Sequence, residues 1–508
     1  MAEPLHVFHD TGSCNIESHN IETHGVETHG VETHNVEDEV AFSSSATPNV
    51  VSHGIPPTQG ISRRSFLKLA GVSATTVALA PITLAACTTP LPNTSSRTGV
   101  KAQLVFQDCR CLGEQLLLEE FHKANPNIEV FYSPDPDNFQ EKMLTDMEAG
   151  TAPDVLAGCC DTLPIWAQQG HLLDLRPYVE ADLEREIIDD WDPAQYNSFF
   201  TQDGIQFALP KFHGALALYY NKDIFDEKGV SYPEYTWDHD DYLEAMKLLT
   251  ERNGDGTVTR WGSMVDISWE RIQIHVNGWG GNFVDPEDST RSWMAKPESL
   301  AAMEWIRARM WDDEVMASKL DVKNLNTRDA FIQKQIAMVE DGSWALKDIL
   351  EQADFRIGVA PFPKGPVRKV TLATTDGFAI YSGTKHPEAS WELLKFLVSR
   401  DYGLAMARAQ LLQPARASLI EEWKDLIRAQ YPDKAEGLDI AAFADGQING
   451  YSVTAEIFTN MTDARRLTQS AWEEIFTLGQ ASVDIMKKTS IAIEEAQGSS
   501  VYSMLASM

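Results

Sequence analysis

The chain is 508 residues long, 43% apolar and 23% charged, and carries a formal net charge of −33. That length exceeds what one hydrophobic core usually covers, so two or more folded lobes are expected. So acidic a surface repels phosphate backbones and anionic headgroups, which excludes nucleic-acid binding and electrostatic membrane association and favours a neutral or cationic ligand.

Residues 1–60 read as a disordered extension. Ile21 to Gly25, Val26 to Gly30 and Val31 to Asn35 repeat with a period of five, so His19, His24, His29 and His34 recur regularly beside glutamates. A metal-binding tract is one reading. The other is an unstructured, discarded segment, or a start assigned too far upstream, since the stretch has almost no large apolar residues. Residues 61–86 follow the pattern of a twin-arginine signal peptide: Ser62-Arg63-Arg64-Ser65-Phe66-Leu67-Lys68, then a charge-free run from Leu69 to Ala86. Leu84-Ala85-Ala86-Cys87 resembles a lipobox, in which small residues admit the peptidase and Cys87 receives the lipid. Residues 87–100 then form a lipidated cysteine and a polar Pro/Ser/Thr tether.

Downstream the chain alternates strands and helices. Ala102 to Phe106 reads as a strand, Glu114 to Ala124 as a helix, Ile128 to Tyr132 as a strand, Asn138 to Ala149 as a helix and Asp154 to Ala157 as a strand. This order predicts a parallel sheet whose ligand lies beyond the carboxyl ends of the strands. Gln107 to Cys111 and Gly158 to Thr162 follow two such ends and should face one cleft. They contain Cys109 and Cys111, and Cys159 and Cys160. In an oxidising compartment two cross-pair disulfides are the economical reading, with pairing open; a four-thiolate zinc site is the alternative, with poor ligand spacing. Asn253 to Thr257 starts like a calcium loop but lacks its closing glutamate, so a tight turn is expected. The sequence has no Gly-X-Ser-X-Gly, no His-Glu-X-X-His and no phosphate-cradling glycine loop, and no cofactor or metal is expected.

Glu120 to Pro126, Lys142 to Leu144 with Ala149 to Val155, and Gly170 to Leu175 resemble the opening of the family 1 extracellular solute-binding proteins, the maltose-binding-protein type. Leu209-Pro210 with Ala217 to Lys222, Asn277 to Gly281, Ala337 to Trp344, and Pro387 to Trp391 with Lys395 to Leu397 continue in the family's order. The resemblance spans roughly residues 101 to 490. It implies a type II periplasmic-binding-protein-like fold: two α/β lobes joined by two or three crossings that close over ligand by a hinge. Lobe 1 would comprise 101–213 plus 364–402 and lobe 2 would comprise 214–363 plus 403–508. It further implies a lipid-anchored monomer at the outer face of the cell membrane. Its ligand would be a carbohydrate, and its partners two ABC permease subunits and a cytoplasmic ATPase.

A sugar site needs aromatic platforms plus carboxylates and amides. Trp279, set among glycines, and Trp344, at a strand-to-helix entrance, are the platform candidates. Gln107, Asp108, Asp161, His213, Glu340, Asp341 and Asp376 are the polar ones; Asp161 and Asp376 rank first because each falls at an expected strand end or turn facing the cleft. Two rivals remain, an exported carbohydrate-active hydrolase and a sensory ligand-binding protein.

Overall fold

A computed structural model describes residues 102–108, 117–135, 138–159 and 162–507, with side chains to residue 498. The repeat tract, signal, tether and Cys87 lie outside these residues, as do Cys109, Cys111, Cys160 and Asp161.

The first sheet has five strands in the order β2-β1-β3-β14-β4: β1 (Ala102–Asp108), β2 (Ile128–Pro134), β3 (Val155–Gly158), β4 (Leu209–Pro210) and β14 (Gly377–Ile380). Strands β1, β2 and β3 are parallel, and β14 runs antiparallel to β3 and β4. Strand β1 continues past the expected Phe106 because its pairing with β2 extends through Gln107↔Ser133 and Asp108↔Pro134. The helix expected from Glu114 is described over Leu118–Ala124. Leu104, Phe106, Val130, Val155 and Phe378 bury against Trp391, Leu394 and Leu397 of the helix Pro387–Leu397. Each such side chain removed from water contributes about 1.5–3 kcal/mol.

The second sheet runs β10-β7-β11-β5-β12: β5 (Leu216–Asn221), β7 (Val258–Met264), β10 (Met316–Ala317), β11 (Ile336–Gly342) and β12 (Ile357–Pro361), with β6 (Glu251–Arg252) beside β7. All six residues of β5 are buried. Strand alternation divides them: Leu218 and Tyr220 enter one apolar cluster, Ala217 and Tyr219 the cluster on the other face. Phe458, Met461, Trp472 and Phe476 from the C-terminal region complete the first of these. The segment Asn253 to Thr257 is a tight turn, with Thr257 N–H donating to Asn253 Oδ1 and Asp255 Oδ1, each at 2.9 Å.

Three stretches of chain lie side by side between the sheets. Phe212 bridges Pro414, Ala215 bridges Ala373, His213 N–H donates to Gln413 O (2.9 Å) and Thr374 N–H to Gly214 O (2.9 Å). Gln195 staples two of them, its Nε2 donating to Phe212 O (2.9 Å) and Thr374 O (2.6 Å). The helix Arg400–Gln410 lends Tyr402 and Met406 to the first sheet's core and Ala407 to the second's, so the expected division at 402/403 falls within one rigid element.

Candidate functional site

The parallel strands of the first sheet end at Asp108, Pro134 and Gly158, and antiparallel β14 begins at Gly377, opposite Gly158 and Pro210. Asp108, Asp135, Cys159, Lys211 and Asp376 therefore share one edge. In the second sheet β7 and β11 are parallel and end at Met264 and Gly342, and antiparallel β5 begins at Leu216, opposite Gly342. The crossing chain leaves the first sheet at Pro210 and enters the second at Leu216, so these two edges meet at the hinge.

On the first edge, Lys211 and Asp108 form an ion pair with side chains 7% and 1% exposed. A pair this deep carries a large desolvation cost and holds only if both charges are well satisfied. Burial works against the Lys211 ammonium, but Asp108, with Asp376 and Asp135 nearby, holds its pKa above the ordinary value. Asp376, 6% exposed, is pushed up to about 6 by burial, against the Thr374 hydrogen bond and the Lys211 charge. Gln107 donates from Nε2 to Asp135 Oδ1 at 3.3 Å. Cys159 is half-buried and free among the described residues; the other cysteines of the expected cross-pair bridges, Cys109, Cys111 and Cys160, lie outside them.

On the second edge, Asp341 is 2% exposed and gripped by two arginines: Arg271 Nη2 donates to Oδ1 at 3.0 Å and Arg328 Nε to Oδ2 at 3.0 Å. Arg328 also donates through Nη1 to Asp348 Oδ2 at 2.7 Å. Trp344 lies in the short 3₁₀ turn Ser343–Ala345 that follows β11. It is half-buried and packs against clusters of both lobes, with the Arg271 guanidinium 5.3 Å from its ring centre.

Three further candidates are engaged by partners within the chain. Trp279 caps the far end of the helix Trp269–Gly278, with its ring edge-to-face on His239 (4.5 Å) and near Trp305 (5.7 Å), packed against the second lobe's core. Glu340 is fully buried and points to the opposite face of β11 from Asp341. It meets His275 Nε2 at 2.9 Å, whose Nδ1 lies 3.1 Å from His239 Nε2, while His239 Nδ1 donates to Lys364 O (2.9 Å). His213 is fully buried in the hinge, with Asp192 Oδ2 2.9 Å from Nε2 and Gln413 Nε2 3.3 Å from Nδ1. Burial opposes ionisation of Asp192, but the His213 hydrogen bond and charge hold its carboxyl below the usual range. Lys211, Arg271 and Arg328 were not among the sequence candidates. Lys211 directly follows the Leu209-Pro210 motif, which could have drawn attention to it; the arginines sit in no motif.

Comparison with known proteins agrees with this architecture. A putative binding protein of Brucella abortus is 24% identical over 382 residues, covering 74% of this chain and 87% of its own. A diacetylchitobiose-binding protein of Streptomyces coelicolor is 24% identical over 307 residues, 59% of this chain and 68% of its own. Among solved structures, an ABC substrate-binding protein of Listeria monocytogenes in complex with cycloalternan superposes with a TM-score of 0.67 at 23% identity, covering 78% of this chain and 99% of that one. The family model for bacterial extracellular solute-binding proteins matches residues 113–403, more than half of the sequence, and the chain belongs to that family.

Proposed function

We propose that this protein captures a carbohydrate outside the cytoplasm and hands it unaltered to an ABC importer. The observation that supports the reading is the make-up of the two facing edges. Trp344 stands half-buried at the lobe junction, Asp341 shares its sheet edge, and the first sheet's edge carries the amide of Gln107 and the carboxylates of Asp108 and Asp376. A pyranose has apolar C–H faces and a belt of hydroxyls, so it calls for both kinds of group. The relatives named for diacetylchitobiose and solved with cycloalternan support the same ligand class. Closure about the triple crossing traps the ligand, and permease subunits driven by a cytoplasmic ATPase draw on the closed form. The receptor works as a monomer, tethered by lipid on Cys87 after cleavage behind Ala86.

Isothermal titration of the mature chain tests this, using maltotriose, diacetylchitobiose, sorbitol and spermidine. Saturable binding of a sugar that is recovered intact is the expected result. Binding of spermidine with no sugar bound overturns the reading, and conversion of the sugar during incubation replaces it with the hydrolase.

A further inference from the structure

We propose that Arg271 is a ligand-binding residue that donates from Nε to an uncharged sugar oxygen and biases the site toward neutral over acidic sugars. This rests on the carbohydrate reading above and goes beyond it by naming a donor and a charge class. Arg271 is the third residue of the helix Trp269–Gly278, which starts just past the carboxyl end of β7; Asp341 and Trp344 lie at the carboxyl end of neighbouring β11. The guanidinium is thus held at the cleft edge, with Nη2 on Asp341 and its plane beside the Trp344 ring. Arg271 is only 9% exposed and its Nε is buried, yet among the described residues no acceptor meets the Nε–H. A buried donor left unpaired costs about 1–3 kcal/mol, more for a charged group. An aromatic face is a weak acceptor and does not replace an oxygen.

The charge balance decides which oxygen fits. Arg271 and Arg328 are matched by Asp341 and Asp348, so this network is already neutral. Across the cleft Lys211 faces Asp108, Asp376 and Asp135, an excess of acid. A carboxylate on the ligand would be a further anion in a site already supplied with them, whereas a hydroxyl or ring oxygen accepts the Nε–H at no charge cost.

The test is calorimetric titration of the mature protein and Arg271→Lys with maltotriose, diacetylchitobiose and digalacturonate, alongside melting temperatures. Lysine keeps a cation for Asp341 and removes the Nε–H. The expected result is at least about tenfold weaker binding of the neutral sugar by the variant, and no binding of digalacturonate by the native protein. Equal affinity of native protein and variant overturns the donor role, and binding of digalacturonate on a par with the neutral sugars overturns the charge class. If the variant fails to fold, the Arg271 Nε–H resonance of the native protein must move on saturation with neutral sugar; a fixed resonance overturns the proposal. Native protein that binds no sugar at all removes the carbohydrate reading itself, a result separate from these.

Discussion

The indole of Trp344 rests on Gly214: a Cβ built at position 214 would lie 2.9 Å from Trp344 Cζ3 and 2.5 Å from Thr374 Oγ1. The aromatic surface proposed for ligand therefore packs against the crossing segment at Gly214, which Thr374 of a second crossing segment also approaches. Gly214→Ala is expected to displace the indole, lowering stability by about 1–3 kcal/mol and weakening sugar binding together. Urea unfolding and titration calorimetry on one preparation measure both, and an unchanged affinity would uncouple platform from hinge.

The two tryptophans singled out by sequence should behave oppositely. Trp344→Ala should remove the proposed ligand contact, with an expected loss of about 1–3 kcal/mol in binding. Trp279→Ala empties a packing site beside His239 and Trp305 and should cost about 2–4 kcal/mol of stability with affinity unchanged. Denaturation midpoints and dissociation constants for both variants decide the assignment.

Two buried groups should oppose each other as the solution is acidified. His239 is lowered to about 3 by burial and by neighbouring His275, so the unfolded chain binds a proton near pH 6.5 that the folded chain refuses. Stability from this group is complete above pH 6.5 and is lost toward pH 3, with a slope approaching ~1.4 kcal/mol per pH unit. Asp376 is raised to about 6, so the folded state gains a proton before the unfolded state does, and stability from this group rises as pH falls from 6 toward 4. Asp376→Asn should steepen the acid loss and His239→Gln should flatten it; identical pH profiles for the two variants would contradict both assignments.

Processing gives a simpler test. The exported protein should begin at lipidated Cys87, and mass spectrometry of its first tryptic peptide reads this directly. A peptide carrying Leu84 to Ala86 joined to an unmodified Cys87 would rule it out.

The strands and helices that build the first sheet were legible because their apolar spacing is regular. Asp376 was legible because it precedes a short apolar strand in Thr374-Thr375-Asp376-Gly377. Trp279 shows that the glycines around it serve packing. A Cβ on Gly278 would lie 3.2 Å from Gly365 Cα, and Gly280 has φ +82° against Val367. Those glycines bring backbones together and do not present a ring to solvent. Glu340 and Asp341 show a second limit, since neighbours on a strand face opposite sides and sequence does not say which side is the cleft. The arginines around Asp341 come from a helix seventy residues upstream and another thirteen upstream, a juxtaposition that only the fold creates.

Strand β14 completes the first sheet by pairing Phe378 with both Ala157 and Leu209, and Trp472 and Phe476 fill the second lobe's core. Neither lobe is encoded by a continuous stretch. During synthesis the edges of β3 and β4 have no partner until residue 380 has emerged, and the second core stays open for nearly a hundred residues more. Such long-range closure makes folding slow and leaves unpaired strand edges exposed meanwhile. A truncation anywhere before residue 476 is therefore expected to yield an aggregating fragment and not a smaller receptor.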